Sequence, residues 1–239
     1  MKTLTFHKID SGFSWGVGNF SPGRLRNLLA SIQSWKESAT LDVDINYTFD
    51  DAYSCFHRNA IEILDEFGLS ATVFAPTRYI GKTNSWDYSS RLKKLRHMTF
   101  AELREVASRG MSIQSHGHSH RDFTRMTTVE VREELSKSKS ILEDKIGKPV
   151  TEICYPYGRF NSDIEEIARE LGYTRGWSLN PAHARNDAFT RGRWCVYSYD
   201  SPLSVRMKLG RGPFSRIEAI KQGITNNLSR GERFAFWTD

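Results

Sequence analysis

Strand-like and helix-like segments alternate along almost the whole chain. No other feature limits the fold as strongly. Short apolar or alternating runs occupy residues 2–7, 45–49, 71–75, 111–114, 151–154, 173–178 and 194–197, with 234–237 a further candidate strand. The helices between them are punctuated by their own residues. Ser21-Pro22 and Ser201-Pro202 are starts with Pro at the first helical position. Thr99 with Glu102, Thr127 with Glu130, Ser162 with Glu165 and Ser215 with Glu218 have capping-box spacing. Gly68, Gly110, Gly147 and Gly172 stand where helices should stop. Regular β–α alternation predicts an α/β fold with a largely parallel sheet, closed into a barrel or open and doubly wound. No G-x-G-x-x-G loop follows the first strand, as a dinucleotide-binding open sheet would require. With no repeat, low-complexity tract or linker, the expectation is a single domain over residues 1–239.

The polar residues that carry chemistry sit just after strands. Ile45, Tyr47 and Phe49 alternate with Asn46 and Thr48, a half-buried strand by pattern, and run straight into Asp50-Asp51. Two carboxylates at such a strand end are costly to bury unless a cation meets them. Ser115-His116-Gly117-His118-Ser119-His120 ends another strand. On a helical turn, His116 and His120 would face one side, within reach of one ion, with Asp51 as third ligand. Two imidazoles and one carboxylate leave positions open for water and substrate. HxxxH alone reads more readily as a polar surface turn than as a ligand pair, and three histidines in five residues leave the register open. The acidic pair and Tyr155-Pro156-Tyr157-Gly158, each following a strand, shift the balance towards a site. In a parallel barrel these strand ends share one face.

Taken together, Thr48-Phe49-Asp50-Asp51, His116 to His120 and Pro156-Tyr157-Gly158 resemble the three motifs of the polysaccharide deacetylase family, the NodB-homology domain of carbohydrate esterase family 4. Gly117 stands where the family usually has Ser or Thr. The resemblance runs from about residue 4 to about residue 200. It implies a distorted (β/α) barrel of seven or eight mostly parallel strands and a metal-dependent removal of N-acetyl groups from a carbohydrate. It also implies roles. Asp51, His116 and His120 would hold one divalent metal, zinc first, with Co, Ni, Fe or Mn as substitutes. Asp50 would be the general base, and the backbone N–H of Tyr157 would face the oxyanion. The family's third motif usually carries an Arg that braces the base, but here that position is near Cys154. Arg193 is the candidate to replace it and Arg191 the second, each equally readable as a surface charge. The family's late Leu-x-His is missing, but Thr3-Leu4-Thr5-Phe6-His7 resembles that strand moved to the front, as in the poly-N-acetylglucosamine deacetylase branch. His7 would then protonate the leaving amine.

Composition excludes little else. With 38% hydrophobic and 26% charged residues, the 239-residue chain is ordinary for a globular protein, and no apolar run is long enough to span a membrane. The start has no signal-peptide pattern, so a complete chain would be expected in the cytoplasm. The abrupt apolar end, Phe234 to Trp237, leaves truncation open. The net charge of +6 permits an anionic partner and leaves room for peripheral membrane contact. Its basic residues are scattered, however, and no nucleic-acid partner is expected. Cys55, Cys154 and Cys195 are too far apart for a metal knuckle and read as buried residues. His118 reads as a loop residue beside the site, His57, His97 and His183 as surface, and Trp86, Trp177 and Trp194 as core or pocket wall. The rivals to a deacetylase are a deformylase or small-amide hydrolase and a non-catalytic carbohydrate-binding relative.

Overall fold

The computed structural model describes residues 1–12, 17–85, 94–181 and 187–228. Trp86, His183 and the candidate strand 234–237 lie outside these residues. The strands are β1 (Lys2–Phe6), β2 (Lys8–Ile9), β3 (Asn19–Phe20), β4 (Ile45–Phe49), β5 (Thr72–Ala75), β6 (Ser112–Ser115), β7 (Glu152–Cys154), β8 (Arg175–Ser178), β9 (Arg191–Gly192) and β10 (Trp194–Cys195). Seven α-helices are described: α1 (Pro22–Glu37), α2 (Ile61–Glu66), α3 (Phe100–Ser108), α4 (Thr128–Ile146), α5 (Ser162–Glu170), α6 (Pro202–Leu209) and α7 (Pro213–Leu228). None is long and apolar enough to cross a membrane.

Eight strands form one parallel sheet in the order β10-β1-β4-β5-β6-β7-β8-β9, a nearly closed barrel. The edge strands β9 and β10 are consecutive in the chain, separated only by Arg193. Residues 191–195 therefore pair first with β8 (Trp177 beside Arg191) and then with β1 (Leu4 beside Trp194), and so close the barrel. The seam is sealed by side chains. Gln222 of α7 donates to the carbonyls of Leu179 (2.6 Å) and Arg193 (2.9 Å) and accepts from the Cys195 N–H (2.9 Å). Lys208 of α6 donates to the Cys195 carbonyl at 2.9 Å.

The alternation in β4 does not mark a face open to water. Tyr47 and Phe49 are buried, and so is Thr48 between them. Thr5 of β1 and Thr48 hydrogen-bond each other and both accept from Arg193, so the polar face lines the barrel interior. Leu4, Phe6, Tyr47 and Phe49 alternate with them and belong to the main apolar core, where Phe6 stacks on Phe49 at 5.2 Å. Apolar stripes such as Leu25, Leu28, Leu29 and Ile32 of α1 complete that core. The capping boxes at Thr99 and Thr127 form as their spacing predicts, and Gly147 ends α4 in the left-handed conformation. Two predicted starts shift. The N-cap of α5 is Asn161, whose side chain accepts from the Ile164 N–H, so Ser162 is already helical. Helix α7 starts at Pro213, ahead of Ser215, because proline supplies a helical φ at a first turn that needs no N–H partner.

Candidate metal centre

Asp50 extends the β1–β4 ladder, its N–H donating to the Phe6 carbonyl at 2.9 Å. The chain then turns through two left-handed residues that are not glycine, Asp51 (φ 68°) and Ala52 (φ 49°). Each such residue costs about 1–3 kcal/mol and persists only where its surroundings over-determine it. Here Met98 N–H bonds the Ala52 carbonyl (2.8 Å), Ser54 N–H bonds the Arg96 carbonyl (2.8 Å), and the His97 ring meets the Asp51 carbonyl (2.6 Å). The two carboxylates consequently meet different partners, Asp50 an arginine and Asp51 two histidines.

His116 follows β6, and its N–H still donates to Ala75 at 3.1 Å. The expected helical turn over 116–120 does not form. Gly117 (φ 75°) and His120 (φ 58°) are left-handed, and the segment is an irregular loop. It is organised by Glu134 of α4, which accepts from the N–H groups of His118 and Ser119 (both 2.8 Å) and from the Ser119 hydroxyl (2.5 Å). The pattern overlooked Glu134. Its one signal is an acid on the inward stripe of Val131, Leu135 and Ser138. Glycine at 117 fits the positive φ, and a Cβ there would come within 2.8 Å of the Phe123 ring.

The loop nevertheless brings together the predicted residues. His120 Nε2 lies 3.3 Å and His116 Nε2 3.7 Å from Asp51 Oδ1. One ligand atom of each residue lies within 4.8 Å of the others, and all three side chains are buried. His116 Nδ1–H donates to the Cys154 carbonyl at 2.7 Å, which presents Nε2 to Asp51. Burial holds the His116 imidazole down to about 4, against the opposing pull of Asp50 and the Cys154 carbonyl. Burial, then the neighbouring His116, puts His120 well below its usual value. Two neutral imidazoles beside a carboxylate, out of bulk water, are a donor set that fits a divalent cation.

Asp50 has a different partner. Arg193, fully buried, grips it with two bonds, Nη1 to Oδ1 at 2.7 Å and Nη2 to Oδ2 at 2.8 Å. Arg193 is itself fixed by Thr5 (2.7 Å), Thr48 (3.1 Å), the Ser178 carbonyl (3.3 Å) and the Phe74 ring (5.3 Å). Burial alone would raise the Asp50 carboxyl. The Arg193 charge and hydrogen bonds, with His116 and His7 behind them, outweigh that and hold it far below the carboxylate range. The other candidate, Arg191, lies over the Trp177 ring at 5.7 Å, away from Asp50. His7, just past β1 and only partly exposed, puts Nε2 4.0 Å from Asp50 Oδ2. Tyr157 has φ 58° and meets the His120 ring edge-on at 5.0 Å.

His118 is hydrogen-bonded to Thr77 at 2.8 Å. The surface assignment of His97 is wrong. It has no exposed surface, because the segment carrying it pairs with Tyr53 and its ring stacks there at 4.7 Å. His57 is also partly buried, against Glu102 and Glu105. Trp177 and Trp194 are core, and all three cysteines are free and buried.

A family model described as polysaccharide deacetylase matches residues 38–176, a span that includes both aspartates, both histidines and Tyr157 but neither His7 nor Arg193. YxkH of Bacillus subtilis (strain 168), also named for polysaccharide deacetylation, is 27% identical over 158 residues, 66% of this chain and 52% of its own. The poly-beta-1,6-N-acetyl-D-glucosamine N-deacetylase of Staphylococcus aureus (strain MRSA252) is 26% identical over 140 residues, 55% of this chain and 46% of its own. The chain thus spans about half the length of these relatives. Among solved structures, the Streptococcus pyogenes deacetylase PplD in complex with acetate superposes with a TM-score of 0.70 over 88% of this chain and 98% of its own. At 19% identity that likeness is one of fold.

Proposed function

The chain belongs to the polysaccharide deacetylase family, and on that premise we propose that it hydrolyses N-acetyl groups of a carbohydrate with the help of one divalent metal, zinc first. One observation carries the reading: Asp51, His116 and His120 converge, while Asp50, one residue away and itself within 4.8 Å of His116, is engaged on both oxygens by Arg193. Asp51, His116 and His120 would hold the cation. Bound there, it would acidify a water and polarise the amide carbonyl. Asp50 takes the proton from the attacking water. Arg193 uses one acceptor position on each Asp50 oxygen and leaves capacity for that water. The same grip keeps Asp50 anionic but makes it a weak base, a suitable partner only for an acidified water. Tyr157 offers its backbone N–H to the carbonyl oxygen as charge develops. His7 gives a proton to the leaving nitrogen, which departs poorly as an anion.

The test is acetate release from N-acetylglucosamine oligosaccharides by the zinc-loaded protein. Chelation and Asp51→Ala should each abolish it, and metal analysis should find about one ion per chain. His7→Ala should slow the N-acetyl amide by about 10²-fold or more while sparing an activated acetate ester, whose leaving group needs no proton. Full activity of Asp51→Ala, or equal loss on amide and ester in His7→Ala, would remove those residues from their roles.

A further inference from the structure

His97 belongs to neither the ligand set nor the acid–base pair, yet it is the most buried histidine among the described residues. Its Nδ1 lies 2.6 Å from the carbonyl oxygen of Asp51. A carbonyl only accepts, so Nδ1 carries the hydrogen and donates. We propose that His97 is a positioning residue for metal binding: its bond to the Asp51 carbonyl fixes the left-handed Asp51–Ala52 turn and, through it, the aim of the Asp51 carboxylate at His116 and His120. The inference rests on those three residues being metal ligands.

The argument is one of restraint. Two successive positive-φ residues with side chains do not hold that conformation unaided. Main-chain bonds secure the turn on either side, through Asp50 N–H before it and the Ala52 carbonyl after it. The carbonyl at its centre is met by the His97 ring. That ring is itself rigidly placed. His97 N–H donates to Lys82 at 2.9 Å, the backbone pairs with Tyr53, and the ring stacks on Tyr53 at 4.7 Å and tilts against Tyr79 at 5.8 Å. The hydrogen bond acts on the ligand's own peptide group. Turning that peptide would swing the Cα–Cβ bond that carries the carboxylate. Outer hydrogen bonds that orient ligands in this way are typically worth about 10–100-fold in metal affinity.

The experiment titrates wild type, His97→Phe and His97→Asn with Zn²⁺ against a chromophoric chelator, beside circular dichroism and thermal melts. Phenylalanine keeps the ring stack and loses the donor, whereas asparagine keeps an N–H near the place of Nδ1. The expected result is a folded His97→Phe that binds zinc about 10–100-fold more weakly, with much of the loss recovered in His97→Asn. Affinity in His97→Phe within twofold of wild type, or equal weakness in both variants, would overturn the proposal, since His97 would then only fill space. If His97→Phe does not fold, His97→Gln replaces it, its amide reaching past the Nδ1 position. Weaker binding than His97→Asn supports the proposal, and equal binding overturns it. A wild type that takes up no zinc would defeat the metal reading itself, and this inference with it.

Discussion

At the scale of single residues, Asp50 and the arginine that grips it show how a site depends on space rather than sequence position. The family pattern points to a position near Cys154 for the arginine, and Cys154 does lie beside the acid, its Sγ 3.6 Å from Asp50 Oδ2. The guanidinium arrives instead from Arg193, 143 residues from Asp50, and passes 2.8 Å from the same sulfur. Both members of the pair are buried, so removing one strands the other's charge. Arg193→Met is expected to destabilise the protein by about 3–5 kcal/mol, read from urea unfolding. Arg193→Met with Asp50→Leu should regain at least half of that loss, because no buried charge is left alone. A double variant no more stable than Arg193→Met would show that the pair's charges are not what the site depends on.

At the scale of elements, helix ends were legible and helix faces less so. Capping is local: Thr99 and Glu102 are three residues apart and find each other as their spacing predicts. Arg96 adds two bonds to the Glu102 carboxylate, at 2.7 and 2.6 Å. Those bonds outweigh burial and, with Thr99, hold the Glu102 carboxyl down to about 2, against 4.5 in the unfolded chain. A folded-state value below the unfolded one means the contribution is complete above pH 4.5 and is lost as pH falls towards 2. The difference in melting temperature between wild type and Glu102→Gln should therefore be constant above about pH 5 and shrink as pH falls through that window. A gap unchanged down to pH 2.5 would contradict the pairing. Helix α7 turns a polar face inward and an apolar one outward. Among its described side chains the buried ones are Glu218 and Gln222, while Phe214, Ile217, Ile220 and Ile224 are exposed. The inward face is polar because it must satisfy the open backbone groups of the barrel seam and the buried Lys208.

At the scale of the whole molecule, closure is the event that builds the site. Residues 191–195 leave β8 and join β1, and the change of partner occurs at Arg193. That turns its side chain into the barrel, onto Asp50. Gln222 serves three backbone groups at the junction, and each buried polar group left without a partner costs about 1–3 kcal/mol. Gln222→Leu is expected to lower stability by about 2 kcal/mol or more and to speed hydrogen exchange at the Cys195 amide. Unchanged exchange there would mean the seam holds without it. The sequence alone determined the β–α order, most helix ends and the residues at the strand ends that could do chemistry. Alternation, caps and motif spacing act over a few residues and can be read one segment at a time. Only the tertiary structure decided that His97 points inward onto Asp51, that Glu134 shapes the histidine loop and that Arg193 rather than Arg191 meets Asp50. Those choices are made by burial, where a charge or N–H must find a partner from whichever strand or helix the closing barrel brings beside it.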